Sequence, residues 1–195
     1  IEPNYIIRGS VFAPQTLSLS KNVTEIFQVE VDSQCLSKED LVGGKICAAL
    51  DRQHPRDLFD IKLILADSDW HSGYTRAFLF YLLSSPRPIH ELLMPDFKNL
   101  EKVFDSDFKG MTDQPVTLLE LEEARRNLVK KVSKIFTKND KDFLLSFVIG
   151  NPFWKLIDFP EFRKWPSVLW KLHNIEKMKM EKREEHWEVL RDFFE

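Results

Sequence analysis

From Ser37 onward the apolar positions recur at helical spacing, and before it they cluster in short β-branched runs. Ile1 to Arg8 is rich in β-branched and aromatic residues and predicts a strand ending at Gly9-Ser10, with Pro3 placing it at an edge or a strand start. A turn-rich connection through Pro14 and Ser20 follows, and Ile26, Val29 and Val31 predict a second strand over 25–31. Ser37 with Asp40 three residues later reads as a capping-box-like start, and Leu41, Lys45, Ala48, Ala49 and Arg52 continue one side of a helix. Pro55 suits the first turn of a second helix, over 56–65, where its missing N–H costs nothing. Further helices are predicted at 72–84, 87–94, 97–104, 117–136, 138–149 and 166–194, with prolines between them. The fold class is therefore α+β, mostly α, with no internal repeat and one continuous helical lobe.

Composition narrows the function classes. At 195 residues and 43% apolar content the chain can build a real core. A net charge of -3 argues against a generic nucleic-acid coat and leaves room only for a local basic site. Cys35 and Cys47 suggest neither a disulfide framework nor a zinc site, and no apolar run approaches the roughly 20 residues that span a bilayer. A reducing, cytoplasmic setting without membrane attachment is the expectation. The chain begins at Ile1 without methionine, inside a predicted strand, and so reads as a fragment or a chain whose beginning is missing.

The chemistry-bearing stretch is Gly43-Gly44-Lys45 followed by Arg52, Arg56, Asp57 and Asp60. Two glycines ahead of a helical lysine are each unfavourable by about 1 kcal/mol relative to alanine, so they call for a close backbone approach, and a phosphate could supply it. Lys45 and Arg52 lie seven residues apart, two turns along one helix face, over the small Ala48. Across Pro55, Asp57 and Asp60 are spaced i, i+3 and Arg56 and Asp60 i, i+4, which offers carboxylates to the first helix's cations. The same charges also read as an ion-pair network locking two helices together, because buried charges are usually paired.

The string Gly-Gly-Lys-x-x-Ala-x-x-x-Arg-x-x-x-Arg-Asp-x-x-Asp over 43–60 resembles the core signature of the AbiEii nucleotidyltransferase toxins, the toxin half of abortive-infection toxin-antitoxin pairs. The resemblance extends upstream to Ile1-Glu2, Asn4-Tyr5 and Arg8-Gly9, and downstream to Arg87-Pro88-Ile89 and Glu91-Leu92-Leu93. It implies the terminal strands of a polymerase-β-like nucleotidyltransferase fold at 1–35 and a helical lobe at 36–195. It implies further that Lys45, with Gly43 and Gly44 beside it, contacts a nucleoside triphosphate. Asp60, or Asp57, completes the active site, Arg52 and Arg56 neutralise phosphate charge, and Glu2 serves as a metal ligand. The implied cofactor is Mg²⁺, the implied partners are an NTP, a cognate antitoxin and a tRNA acceptor end. The Gly-Ser turn and Asp-x-Asp strand expected of this family are missing: no acid follows Gly9-Ser10 until Glu25, and the expectation places that motif before Ile1. Asp67–Asp69 and Asp105–Asp107 read as caps or solvated turns between helices. The alternatives are a non-catalytic helical interaction module on the same scaffold and a nucleic-acid-binding helical protein.

Four other features point to structure. The five scattered histidines fit structural roles, the aromatic cluster from Phe143 to Trp170 fits core packing, and the basic run 171–183, interleaved with glutamates, fits a solvated helix face. The helix through Leu118 and Leu121 is ordinary amphipathic helix.

Overall fold

A computed structural model describes residues 9–67 and 70–195. Within them the chain forms a small arm followed by a helical lobe, an α+β fold that is mostly α.

The arm is an antiparallel pair, β1 (Gln15–Ser18) with β2 (Asp32–Cys35), joined through helix α1 (Lys21–Phe27). The register pairs Gln15 with Cys35 and Ser18 with Asp32. This corrects the sequence expectation: of the strand predicted over 25–31, residues 25–27 are the end of helix α1 and 28–31 are turn and connection, and the strands lie in what read as connections. The physical reason is burial. β-branched residues favour strands by packing on a half-buried pleated surface, yet Ile26 and Phe27 are exposed and α1 buries nothing. With no surface to pack against, local hydrogen bonding decides: Ser20 takes the N-cap position, its carbonyl accepts Thr24 N–H at 3.0 Å, and Gln28 closes the helix at φ 51°. The strand predicted at 1–8 lies outside the described residues.

The lobe comprises α2 (Lys38–Arg52), α3 (Pro55–Ala66), α4 (Ser72–Ser84), α5 (Ile89–Leu93), α6 (Glu101–Asp107), α7 (Leu118–Ile135), α8 (Lys138–Val148), α9 (Pro166–Glu176) and α10 (Met180–Phe194). Helix α4 is its centre. From Ala77 to Leu83 every residue is buried, so this helix is covered all round, and burying a Phe or Leu side chain contributes about 1.5–3 kcal/mol. Helix α2 packs along α4, and α3 packs against both α2 and α7. The predicted single helix over 166–194 is two helices. Arg183 donates to the carbonyls of Met178 and Ile149, at 3.1 and 3.2 Å, and stitches the turn between α9 and α10 to the end of α8.

The aromatic cluster is core, as expected, through Phe143, Phe147 and Phe162, with Trp165 edge-on to Phe80 at 5.7 Å. Trp170 departs from it and is 56% exposed. The basic run also needs correction at one position: Lys171 is buried, not solvated.

Candidate functional site

Helix α2 presents two different faces. Its inner face, Val42, Gly43, Ile46, Cys47, Ala49 and Leu50, is buried, and its outer face carries Leu41, Lys45, Ala48 and Arg52. At the N-terminus Ser37 Oγ accepts Asp40 N–H at 3.0 Å, which is the predicted cap. Asp40 does more than the sequence indicated. Its fully buried carboxylate accepts the backbone N–H of Val11 at 2.8 Å and of Phe12 at 2.9 Å, and so ties the segment after Gly9-Ser10 to the helix start.

The two glycines separate. A Cβ on Gly43 would lie 2.6 Å from Phe78 N and 2.7 Å from Ala77, whereas one on Gly44 would meet only the Tyr81 ring at 3.7 Å. The close approach that Gly43 permits is therefore that of helix α4. A glycine here brings two helix backbones together.

The corner between α2 and α3 is fixed by Gln53, which adopts φ 53° and donates its N–H to Ala49 O at 3.1 Å. Its buried side chain donates to Asp96 O at 2.8 Å and accepts from Arg125 at 3.0 Å and from Lys98 N–H at 3.2 Å. These bonds offset the order of 1 kcal/mol that a left-handed non-glycine residue costs. His54 then caps α3, its Nδ1 accepting Arg56 N–H at 3.2 Å, and Pro55 takes the first turn as expected.

Across this corner Lys45 Nζ donates to Asp60 Oδ2. The pair is not sealed: the side chains are 35% and 34% exposed. Further along the seam, Arg52 pairs with Asp57 Oδ1 at 2.6 Å, and the other oxygen, Asp57 Oδ2, is buried with no partner among the described residues. Arg56 is exposed and donates to the Asp107 carbonyl at 3.2 Å. His54 Nε2 lies 3.5 Å from Asp107 Oδ2, and Asp107 is held below the usual carboxylate range by its bond with Ser106 and then by His54. Arg52, His54, Arg56 and Asp57 line a depression of about 290 Å³. Lys45 and Asp60 are not in its lining; they sit further along the same seam, since residues 45 and 52 on α2 span about 10 Å of helix. A wider, open depression of about 570 Å³ belongs to the arm, beside Lys21, Glu25 and Glu30, and contains none of these residues.

The structure thus makes the ion pairs that a helix-locking network requires and leaves their solvent side open. An anion arriving at the depression would find Arg52 from α2 and Arg56 from α3, with Lys45 two helical turns away along α2, and Arg is suited to bidentate phosphate contacts. Glu2 lies outside the described residues. Among the described residues no three His, Cys, Asp or Glu side chains converge as metal ligands; Mg²⁺ bound with a nucleotide needs only one or two carboxylates beside the phosphates.

Sequence reasoning missed the support behind the seam. Arg87 bridges Asp51 at 3.1 Å and Glu91 at 2.9 Å, and Glu91 and then Asp51 raise its pKa. Lys98 donates to the carbonyls of Asp51 and Arg52, at 3.3 and 3.2 Å, at the negative end of α2. The i, i+4 spacing of Arg87 and Glu91 was visible; the partners on α2 were not. Asp105–Asp107, expected in a connection, closes helix α6. His54 and His71 cap α3 and α4, the structural roles expected of them.

Residues 1–168 match a family model described as the nucleotidyl transferase AbiEii toxin of a type IV toxin-antitoxin system. Searches of curated proteins and of solved structures returned no match. No helix among the described residues is long and apolar enough to cross a membrane.

Proposed function

We propose that this chain, which belongs to the AbiEii family of nucleotidyl transferase toxins of type IV toxin-antitoxin systems, transfers a nucleoside monophosphate from an NTP to an acceptor hydroxyl and releases pyrophosphate. The observation that carries the reading is the solvent-open Lys45–Asp60 pair at the α2–α3 seam, which also bears the depression lined by Arg52 and Arg56. Lys45 contacts the triphosphate; Asp60 holds the ammonium in position and Asp57, through Arg52, orients the cationic edge. Arg52 and Arg56 offset phosphate charge as the leaving group separates. Gly43 acts indirectly by seating α2 on α4, and Gly44, the neighbour of Lys45 in the signature, is the second glycine assigned to nucleotide binding in this reading.

Mg²⁺ accompanies the NTP in this reading, with ligands from outside the described residues, Glu2 being the one nominated. The domain division follows the same reading, with 1–35 as terminal strands of a polymerase-β-like core and 36–195 as the helical lobe. A tRNA 3′ end is the proposed acceptor and the cytoplasm the proposed location. The family places the protein opposite an antitoxin partner.

The test is incorporation of α-labelled nucleotide into RNA by wild-type protein and by Lys45→Ala, together with growth of cells expressing each. Transfer falls at least a hundredfold and growth inhibition is relieved, with an unchanged circular dichroism spectrum; unchanged incorporation contradicts the assignment. A second reading, a non-catalytic interaction module, is favoured by the arm, which exposes Ile26, Phe27, Val29 and Val31. Wild-type protein that binds a partner and transfers no nucleotide supports that reading against the first.

A further inference from the structure

Away from the α2–α3 seam, a cavity of about 240 Å³ lies between α9, α10, the end of α8 and the loop entering α5. Its apolar wall includes Ile89, Val148, Trp170, Ile175 and Met178. Its polar lining is Arg87, Lys171, Asn174, Lys182 and His186, with no carboxylate. A cavity whose ionisable lining is wholly basic selects an anion, and apolar walls select one with an apolar body.

Lys171 is the group that needs explanation. It is 5% exposed, and its Nζ donates to the carbonyls of Leu82, at 3.0 Å, and Arg87, at 2.8 Å. Leu82 lies in the last turn of α4, so part of Lys171's role is to complement that helix end. An ammonium has three N–H groups, and a buried one without a countercharge is unfavourable. Two carbonyls take two of them; among the described residues no acceptor takes the third.

We propose that this cavity binds a small carboxylic acid with an aromatic or branched apolar body, its carboxylate accepting the third N–H of Lys171 while its body packs on Trp170, Val148 and Ile175. The volume equals about eight water molecules, the size class of phenylacetate. Burial pushes the Lys171 ammonium down to about 7, so the bare site tends to lose its charge near neutrality. The groups around it are Cys47 from α2, Arg87 from the loop, His90 from α5 and Lys182 and His186 from α10, while Glu91 and Glu185 act on the histidine pair. An arriving carboxylate restores the charge, and binding takes up a proton above pH 7. The proposal does not depend on nucleotidyl transfer.

Isothermal titration of the whole chain with phenylacetate, isovalerate and the neutral phenylacetamide tests it. Both acids bind with one-to-one stoichiometry, the amide binds at least tenfold more weakly than phenylacetate, and acid affinity falls at least tenfold from pH 7 to pH 9. Lys171→Met, folded by circular dichroism, loses at least tenfold in acid affinity. No saturable binding of either acid, equal binding of acid and amide, or an unchanged Kd in folded Lys171→Met overturns the proposal. Should Lys171→Met fail to fold, the acid-to-amide ratio on the wild-type chain decides alone.

Discussion

At the scale of single residues, glycine shows how far spacing alone reaches. The sequence marked Gly43 and Gly44 together as places of close approach. Only coordinates distinguish them, because the atoms that crowd Gly43 belong to α4, more than thirty residues away. Gly43→Ala pushes a methyl group into the Phe78 and Ala77 backbone and is expected to lose about 2 kcal/mol. Gly44→Ala, facing the Tyr81 ring at van der Waals distance, is expected to gain up to about 1 kcal/mol from helix propensity. Urea unfolding of the two variants checks the contrast, and equal effects would refute it. The meeting of Lys45 and Asp60 was legible from the proline that hinges the two helices and from the carboxylates spaced along the second. The buried Asp57 Oδ2, without a partner among the described residues, was not, since it depends on which oxygen Arg52 reaches.

At the scale of elements, caps were the most legible feature and strands the least. Ser37, Thr117 and Pro55 sit where the sequence put helix starts because capping is local chemistry. The arm was misread because its β-branched residues have nothing to pack against. Asp40 links the two regions, and removing its carboxylate frees two amides. In Asp40→Ala, hydrogen exchange at Val11 and Phe12 is expected to quicken by about tenfold to a hundredfold, while amides in α4 are unchanged. Helix α7 carries a pH signature. Lys62, and then the Thr117 N–H and hydroxyl, lower the Glu120 carboxyl from 4.5 to about 2. A lowered acid contributes stability that is present above pH 4.5 and lost as pH falls through about 2. Glu120→Gln is expected to remove that part of the acid transition, read by urea midpoints at pH 2, 3 and 5; an identical acid profile in the variant would contradict it.

At the scale of the whole molecule, the helical lobe follows from amphipathic periodicity, whereas the buried run Ala77–Leu83 of α4 and the buried Lys171 follow from the way α9 and α10 fold back over the core. Lys171 titrates near 7 in the fold and at 10.5 when free, so the unfolded chain binds more protons between those values, and stability from this group rises with pH across that window. Wild-type stability minus that of Lys171→Met should increase from pH 7 to pH 10, by denaturant unfolding. In the proposed function the Lys45–Asp60 pair does chemistry beyond clasping two helices. Its most direct test is nucleotide transfer by the exchanged variant Lys45→Asp/Asp60→Lys, which rebuilds the ion pair with its charges reversed. The exchanged variant is expected to fold with thermal stability near wild type and to transfer no nucleotide; recovery of both stability and transfer would show that the pair is only a clasp.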